Sequence, residues 1–101
     1  MPALNLRYTV DARDDLMGIL HFIARDNPAR AITFVEEIEA HCRRLKDSPL
    51  GRPALPEIGS NVRRAVYGNY NIYYFIADGD VVVFGVIEGH RRQAYALQNR
   101  I

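Results

Sequence analysis

The hydrophobic pattern of the chain changes period near its start. Leu4, Leu6, Tyr8 and Val10 alternate with Asn5, Arg7 and Thr9, the period of two that a half-buried strand produces. Leu16, Ile19, Leu20 and Ile23 then recur at i, i+3, i+4 and i+7, one stripe of an amphipathic helix. Asp11 is the expected cap, and Asp14 and Asp15 suit a first turn. Asn27-Pro28 predicts the end of this helix and the start of the next, with Asn27 as cap and Pro28 in the first helical position. The second stripe runs through Ala31, Phe34, Val35, Ile38, Cys42 and Leu45. Glu36, Glu37 and Glu39 precede Arg43, Arg44 and Lys46, an order that suits the helix dipole and permits a Glu39–Arg43 pair. So short a linker predicts an antiparallel helical hairpin. Ser48-Pro49 stops the second helix.

Pro49 to Asn61, PLGRPALPEIGSN, reads as a loop. Val62 to Ile87 then reads as three strands, interrupted at Gly68-Asn69 and Asp78-Gly79-Asp80, which supply the positive φ of tight hairpins. β-branched and aromatic residues dominate between those turns, which favours strands over a buried helix. The tail EGHRRQAYALQNRI is polar and basic, and Ala94, Leu97 and Ile101 would form one short docked helical stripe. The expected fold is α+β in two layers, β-α-α-β-β-β. A helical hairpin covers one face of a small antiparallel sheet, followed by a short C-terminal tail or helix. One apolar stripe per helix covers one sheet face only. The other face is therefore expected to meet solvent or a partner.

With 101 residues the chain is expected to form one domain, residues 1–101, and its 49% hydrophobic and 25% charged residues are those of an ordinary globule. No apolar run approaches the ~20 residues of a membrane span. The opening MPALNLRYTV is too quickly polar for a signal peptide, so a cytoplasmic location is expected. Cys42 is the lone cysteine, which excludes an internal disulfide and cysteine-based metal sites. On the core face of a helix it reads as a small buried apolar side chain. A net charge of +1 argues against strong, indiscriminate nucleic-acid binding. Residues 48–101 nevertheless hold six basic against four acidic groups. No phosphate loop, dinucleotide fingerprint, zinc spacing or nucleophile elbow is present, and no cofactor is implied.

Candidate chemistry gathers late in the chain. Arg63 and Arg64, adjacent on a strand, point to opposite faces, which leaves one at the rim or on the open face. Tyr73 and Phe75 share one face of the next strand; Ile72, Tyr74 and Ile76 share the other. The six tyrosines are consistent with a wet interface or with ordinary sheet packing. Glu88, His90, Arg91, Arg92 and Tyr95 form the densest polar group. A histidine beside two arginines can move protons in phosphodiester cleavage while the arginines hold the phosphate. The same residues can equally bind an acidic partner. Glu57 in the loop is a conceivable base, and neither His21 nor His41 has a metal-spaced companion.

From end to end the chain resembles the RelE/ParE superfamily of bacterial toxins from type II toxin–antitoxin modules. The resemblance rests on the order of elements, the opening DARDDLMGILHFIARDNPARA, the SPLGRP turn and the run VRRAVYGNYNIYYFIADGDVVVFGVIEGHRR. It implies a small toxin bound by a cognate antitoxin in a hetero-oligomer. The antitoxin contact would then fall on the helices, with Leu16, Ile19, Ile23, Phe34 and Ile38 as the expected residues.

Two branches of that superfamily imply different targets. Members resembling RelE cut messenger RNA on the ribosome with a strand arginine and a C-terminal arginine and tyrosine. Here Asn71 stands at the strand-arginine position, and Arg91 and Tyr95 match the C-terminal pair with altered spacing. Members resembling ParE poison DNA gyrase without a nuclease set, and the GRP turn and the Ile-Glu-Gly-His-Arg-Arg ending look closer to them. In the usual ParE ending a histidine stands where this chain has Glu88. The favoured expectation is a gyrase poison with no active site of its own, with Arg63, Arg64, Tyr73, His90, Arg91, Arg92 and Tyr95 contacting the target. The alternative is a ribosome-dependent endoribonuclease using His90, Arg91, Arg63 and Tyr95. A third is a non-toxic relic that only binds its antitoxin. No metal and no membrane enter any of them.

Overall fold

The computed structural model describes residues 4–89, 96–97 and 99–101. The elements are β1 (Asn5–Tyr8), α1 (Val10–Ala24), α2 (Pro28–Arg44), β2 (Val62–Tyr67), β3 (Tyr70–Ala77) and β4 (Asp80–Glu88). Class and element order are those expected. Strands β2, β3 and β4 form the antiparallel meander, and its turns take positive φ at Gly68, Asp78 and Gly79. β1 adds to the far side of β4 in parallel, Asn5 opposite Asp80 and Tyr8 opposite Val83, so the four-stranded sheet is mixed, in the order β1-β4-β3-β2. The α1–α2 hairpin lies on one face.

Local chemistry sets the helix ends. α1 starts earlier than expected, and its cap is Thr9 rather than Asp11. The Thr9 hydroxyl accepts a hydrogen bond from the Ala12 amide at 3.1 Å, and Thr9 itself is extended. Asp11 instead lies in the first turn, where a carboxylate favours the dipole. Asn27 caps α2 through the Arg30 amide at 3.1 Å with Pro28 behind it, as the sequence predicts. The helices pack Leu16, Ile19, Ile38, Cys42 and Leu45 onto Ala65, Ile72, Tyr74, Val81, Val83 and Val86.

The opposite sheet face is not open, contrary to expectation. Val62, Tyr73, Phe84 and Ile87 form a second core there, covered by Leu55 and Ile58 of the 49–61 loop and by Ala96 and Leu97. Helices alone do not cover this sheet, because β4 is apolar at every position from Val81 to Ile87 and needs a lid on each side. Leu97 of the expected tail stripe is buried, whereas Ile101 is 67% exposed. Ala94 lies outside the described residues.

A bulge joins the two cores. Tyr73 pairs with Gly85 and Tyr74 with Val83, so Phe84 is an extra residue on β4. β1 ends opposite Val83, and among the described residues no strand pairs with the outer edge of β4 beyond it. Side chains take the strand's place. Asp15 of α1 accepts the Val86 amide at 2.9 Å and both terminal nitrogens of Arg100, at 2.6 and 3.2 Å. Arg100 also donates to the Phe84 carbonyl at 3.2 Å. Gly85 lies beneath this clasp, where an added Cβ would come within 2.6 Å of the end of the Leu97 side chain and force it to shift.

Among the described residues no helix is long and apolar enough to cross a membrane. The clasp gives a stability prediction. The side chains of Asp15 and Arg100 are only 13% and 18% exposed, so removing Arg100 strands the Asp15 carboxylate and frees the Phe84 carbonyl. Arg100→Met should cost about 2–4 kcal/mol in urea unfolding. Arg7→Ala, which breaks the exposed Arg7–Asp80 pair, should cost less than about 1 kcal/mol. Equal losses would show that the clasp is an ordinary surface ion pair.

Candidate functional site

Strand alternation sends Arg63 and Arg64 to opposite faces, and each meets a different environment. Arg63 lies opposite Tyr74 on the helix side. Its Nη1 donates to the Arg52 carbonyl at 2.5 Å and to the Leu50 carbonyl at 3.4 Å. The Tyr74 hydroxyl donates to the Pro49 carbonyl at 2.6 Å. Arg63 is thus a strut under the SPLGRP turn, and that end of its side chain is not free for a target. Arg64 pairs with Tyr73 and is half-buried.

Tyr73 itself is fully buried, so it does not offer the exposed tyrosine surface the sequence reading assigned to it. Phe84 and Leu97 close over it in the second core. Burial pushes its hydroxyl pKa up, and hydrogen bonds from Arg64 and Asn71 oppose that shift. Asn71, at the strand position discussed above, therefore contributes a neutral amide beside a buried phenol. Expected site residues His90, Arg91, Arg92 and Tyr95 lie outside the described residues.

The expected antitoxin residues are largely taken up by the core. Ile38 is fully buried, Leu16 and Ile19 are less than a tenth exposed, and Ile23 and Phe34 are half-buried against the same core. Periodicity identifies the stripe that binds the sheet, and this stripe is consumed by folding. The large apolar side chains that the two helices leave outside are Val10 at 75%, Met17 at 52%, Phe22 at 63% and Ile32 at 57% exposure. Met17 and Leu20 meet Val35 in a groove along the outer hairpin seam, with Leu16 at its floor and Arg13 and Glu39 at its rims. A second groove, between α1 and the end of the sheet, is lined by Asp14, Gly18, Phe22, Tyr70, Val86 and Glu88 among others. A faint signal for the outer surface was present in the sequence, as Met17, Phe22 and Ile32 fall off the core stripes.

Sequence reasoning also missed a polar–aromatic network on α2. Arg30 grips Glu37 through two hydrogen bonds at 2.7 and 3.2 Å, and the Tyr67 hydroxyl donates to Glu37 at 2.5 Å. Arg30, with Tyr67 adding to it, holds the Glu37 carboxyl below the usual carboxylate range. The Arg30 guanidinium lies 5.2 Å from the Phe34 ring centroid, and Phe34 meets Tyr67 and Tyr70. The seven-residue spacing of Arg30 and Glu37 was legible as two turns of one helix face. Tyr67, thirty residues further along, was not. Cys42 is fully buried, and burial pushes its thiol up to about 11. Among the described residues no group of histidine, cysteine and carboxylate side chains is arranged to hold a metal ion.

Solved structures from toxin–antitoxin systems share this arrangement. The chromosomal ParDE system of P. aeruginosa superposes with a TM-score of 0.71 at 17% identity, over 85% of this chain and 96% of that one. The toxin–antitoxin complex RelBE2 of Mycobacterium tuberculosis superposes with a TM-score of 0.64 at 25% identity, over 86% and 99%. No curated protein sequence matches. Residues 6–95 match the family described as ParE toxin of type II toxin-antitoxin system, parDE. A match over that length, on this fold, makes the chain a member of the ParE toxin family.

Proposed function

We propose that this toxin acts by binding DNA gyrase and trapping its cleaved complex with DNA, and that it performs no chemistry of its own. The family match over residues 6–95 carries this reading. Two features of the chain support it. Asn71 puts no positive charge where a ribonuclease of this superfamily needs one to stabilise an anionic transition state. Arg63, an assigned phosphate holder in the ribonuclease alternative, spends its Nη1 on loop carbonyls. The target contact is assigned to Arg64 and to the basic tail His90, Arg91, Arg92 and Tyr95, which continues from β4. A cytoplasmic location and the action of residues 1–101 as one domain belong to the same proposal.

The antitoxin partner is assigned to the outer hairpin groove. An amphipathic antitoxin helix laid along Met17, Leu20 and Val35 would cover the apolar side chains that folding leaves exposed, in the helix-in-groove manner. Arg13 and Glu39 at the rims would fix its orientation more than its affinity.

Two experiments test these assignments. Purified toxin is added to gyrase with plasmid and ATP, and in parallel to ribosomes translating a defined message. Linear, protein-linked plasmid with intact message is the expected result. Message cleavage with gyrase unaffected would replace the proposal with the ribonuclease reading, and silence in both would indicate a toxin-fold protein that only binds its antitoxin. Separately, Met17→Glu combined with Ile32→Glu should weaken antitoxin binding by about 2 kcal/mol or more in calorimetry, with the melting temperature of the free toxin little changed. Undiminished binding would place the antitoxin elsewhere.

A further inference from the structure

A glycine interrupts α1 for no reason of folding. Gly18 lies in the interior of the helix, where glycine is a weaker helix former than alanine. Its φ is not positive, and a Cβ added there would meet nothing within 4 Å. Neither crowding nor backbone conformation therefore requires it. The space above Gly18 belongs to the groove between α1 and the end of the sheet, a cavity of about 260 Å³. Asp14, Gly18 and Phe22 recur every four residues and form one line along α1. Across the groove from them, Tyr70 and Glu88 stand opposite each other in the β3–β4 ladder.

The lining has one chemistry. Phe22 keeps 63% of its surface exposed and Tyr70 is half-buried, so two aromatic rings border the groove. Asp14, Asp15 and Glu88 add carboxylates, and among the described residues no basic side chain lines it. Arg100 engages Asp15, and the charges of Asp11 and Asp14 act on the same guanidinium. One cation thus answers several carboxylates. Asp14 shares in none of the ion pairs among the described residues. It also lies beyond the first turn of α1, where the helix dipole gives little reason for a carboxylate. Such a surface repels phosphate and attracts a cation.

We propose that this groove docks an extended basic segment of a protein partner. The segment crosses α1 at Gly18, with an arginine over the Phe22 and Tyr70 rings and a second cation at Asp14. Eight helical residues separate Asp14 from Phe22, about 12 Å, which about four residues of extended chain span. The missing Cβ at Gly18 lets the partner's backbone approach the helix closely. A planar guanidinium suits an aromatic face and a carboxylate at the same time. The groove lies on the other flank of α1 from the one formed by Met17, Leu20 and Val35. The inference depends neither on gyrase being the target nor on the antitoxin helix lying along that outer groove.

NMR titration of the isotope-labelled full chain tests this, with the peptide acetyl-Arg-Gly-Ala-Arg-amide in one arm and its glutamate counterpart in the other. The arginine peptide should shift the Gly18 and Phe22 amides saturably, and the glutamate peptide should not. Phe22→Ala and Asp14→Asn should each weaken binding about threefold. Both side chains are exposed, so the melting curve should change little. Gly18→Ala should weaken binding by a similar factor while raising the melting temperature, because alanine is the better helix former. A glycine with only a structural role would not move folding and binding in opposite directions. Absence of shifts at Gly18, equal response to both peptides, or undiminished binding by Gly18→Ala would overturn the proposal. Shifts confined to the outer groove would overturn it too. So would binding that appears only in Arg91→Ala/Arg92→Ala, which would give the groove to this chain's own tail.

Discussion

Seven consecutive residues of β4, Val81 to Ile87, are removed from solvent, and the other elements are arranged to achieve this. A strand apolar on both faces needs two covering layers and two satisfied edges. The helical hairpin covers one face; the 49–61 loop and the segment around Leu97 cover the other. β3 satisfies the whole inner edge, and β1 satisfies the outer edge as far as Val83. Beyond Val83 the bulge at Phe84 turns the strand, and the carboxylate of Asp15 with the guanidinium of Arg100 completes the edge. That one interaction ties α1, β4 and the C-terminus together. Each buried aliphatic side chain along β4 is worth about 1.5–3 kcal/mol, and much of that gain depends on the covers staying in place.

This arrangement determines which surfaces remain for partners. With both faces of the central strand covered, the free sheet face expected from two amphipathic helices does not exist. Among the described residues, what remains is peripheral: the outer groove of the hairpin and the rims of the sheet. A toxin built this way can present separate surfaces to an antitoxin and to a target, because its core is closed without either. The groove offers exposed apolar area, which suits an apolar partner.

The fold was largely legible in the sequence because its signals are local. The two periods of the opening, the Asn27-Pro28 junction and the turns at Gly68 and Gly79 each depend on a few neighbouring residues. Thr9 shows the limit: Thr and Asp both cap helices, and which one does so here follows from the length of β1. The parallel pairing of β1 with β4 and the Asp15–Arg100 clasp link residues more than seventy positions apart, and no local pattern reports them. The candidate site was less legible for a further reason. Amphipathic periodicity marks what packs, so Leu16, Ile19 and Ile38 were read as partner-binding when folding had already used them. Tyr73 was misread because tyrosine at a wet interface and tyrosine under a lid have the same sequence signature. Arg63 looked free because the carbonyls that hold it belong to an irregular turn.

The central claim is that Asp15 and Arg100 act as the missing strand at the edge of β4, closing the second core. The most direct measurement is hydrogen exchange of the Val86 amide by NMR. The account predicts exchange as slow as that of neighbouring amides inside the β3–β4 ladder, because the Asp15 carboxylate holds that hydrogen. Exchange as fast as at an exposed strand edge, with the rest of β4 protected, would contradict it. The edge would then be open, and the cover over Tyr73 and Phe84 would need another explanation.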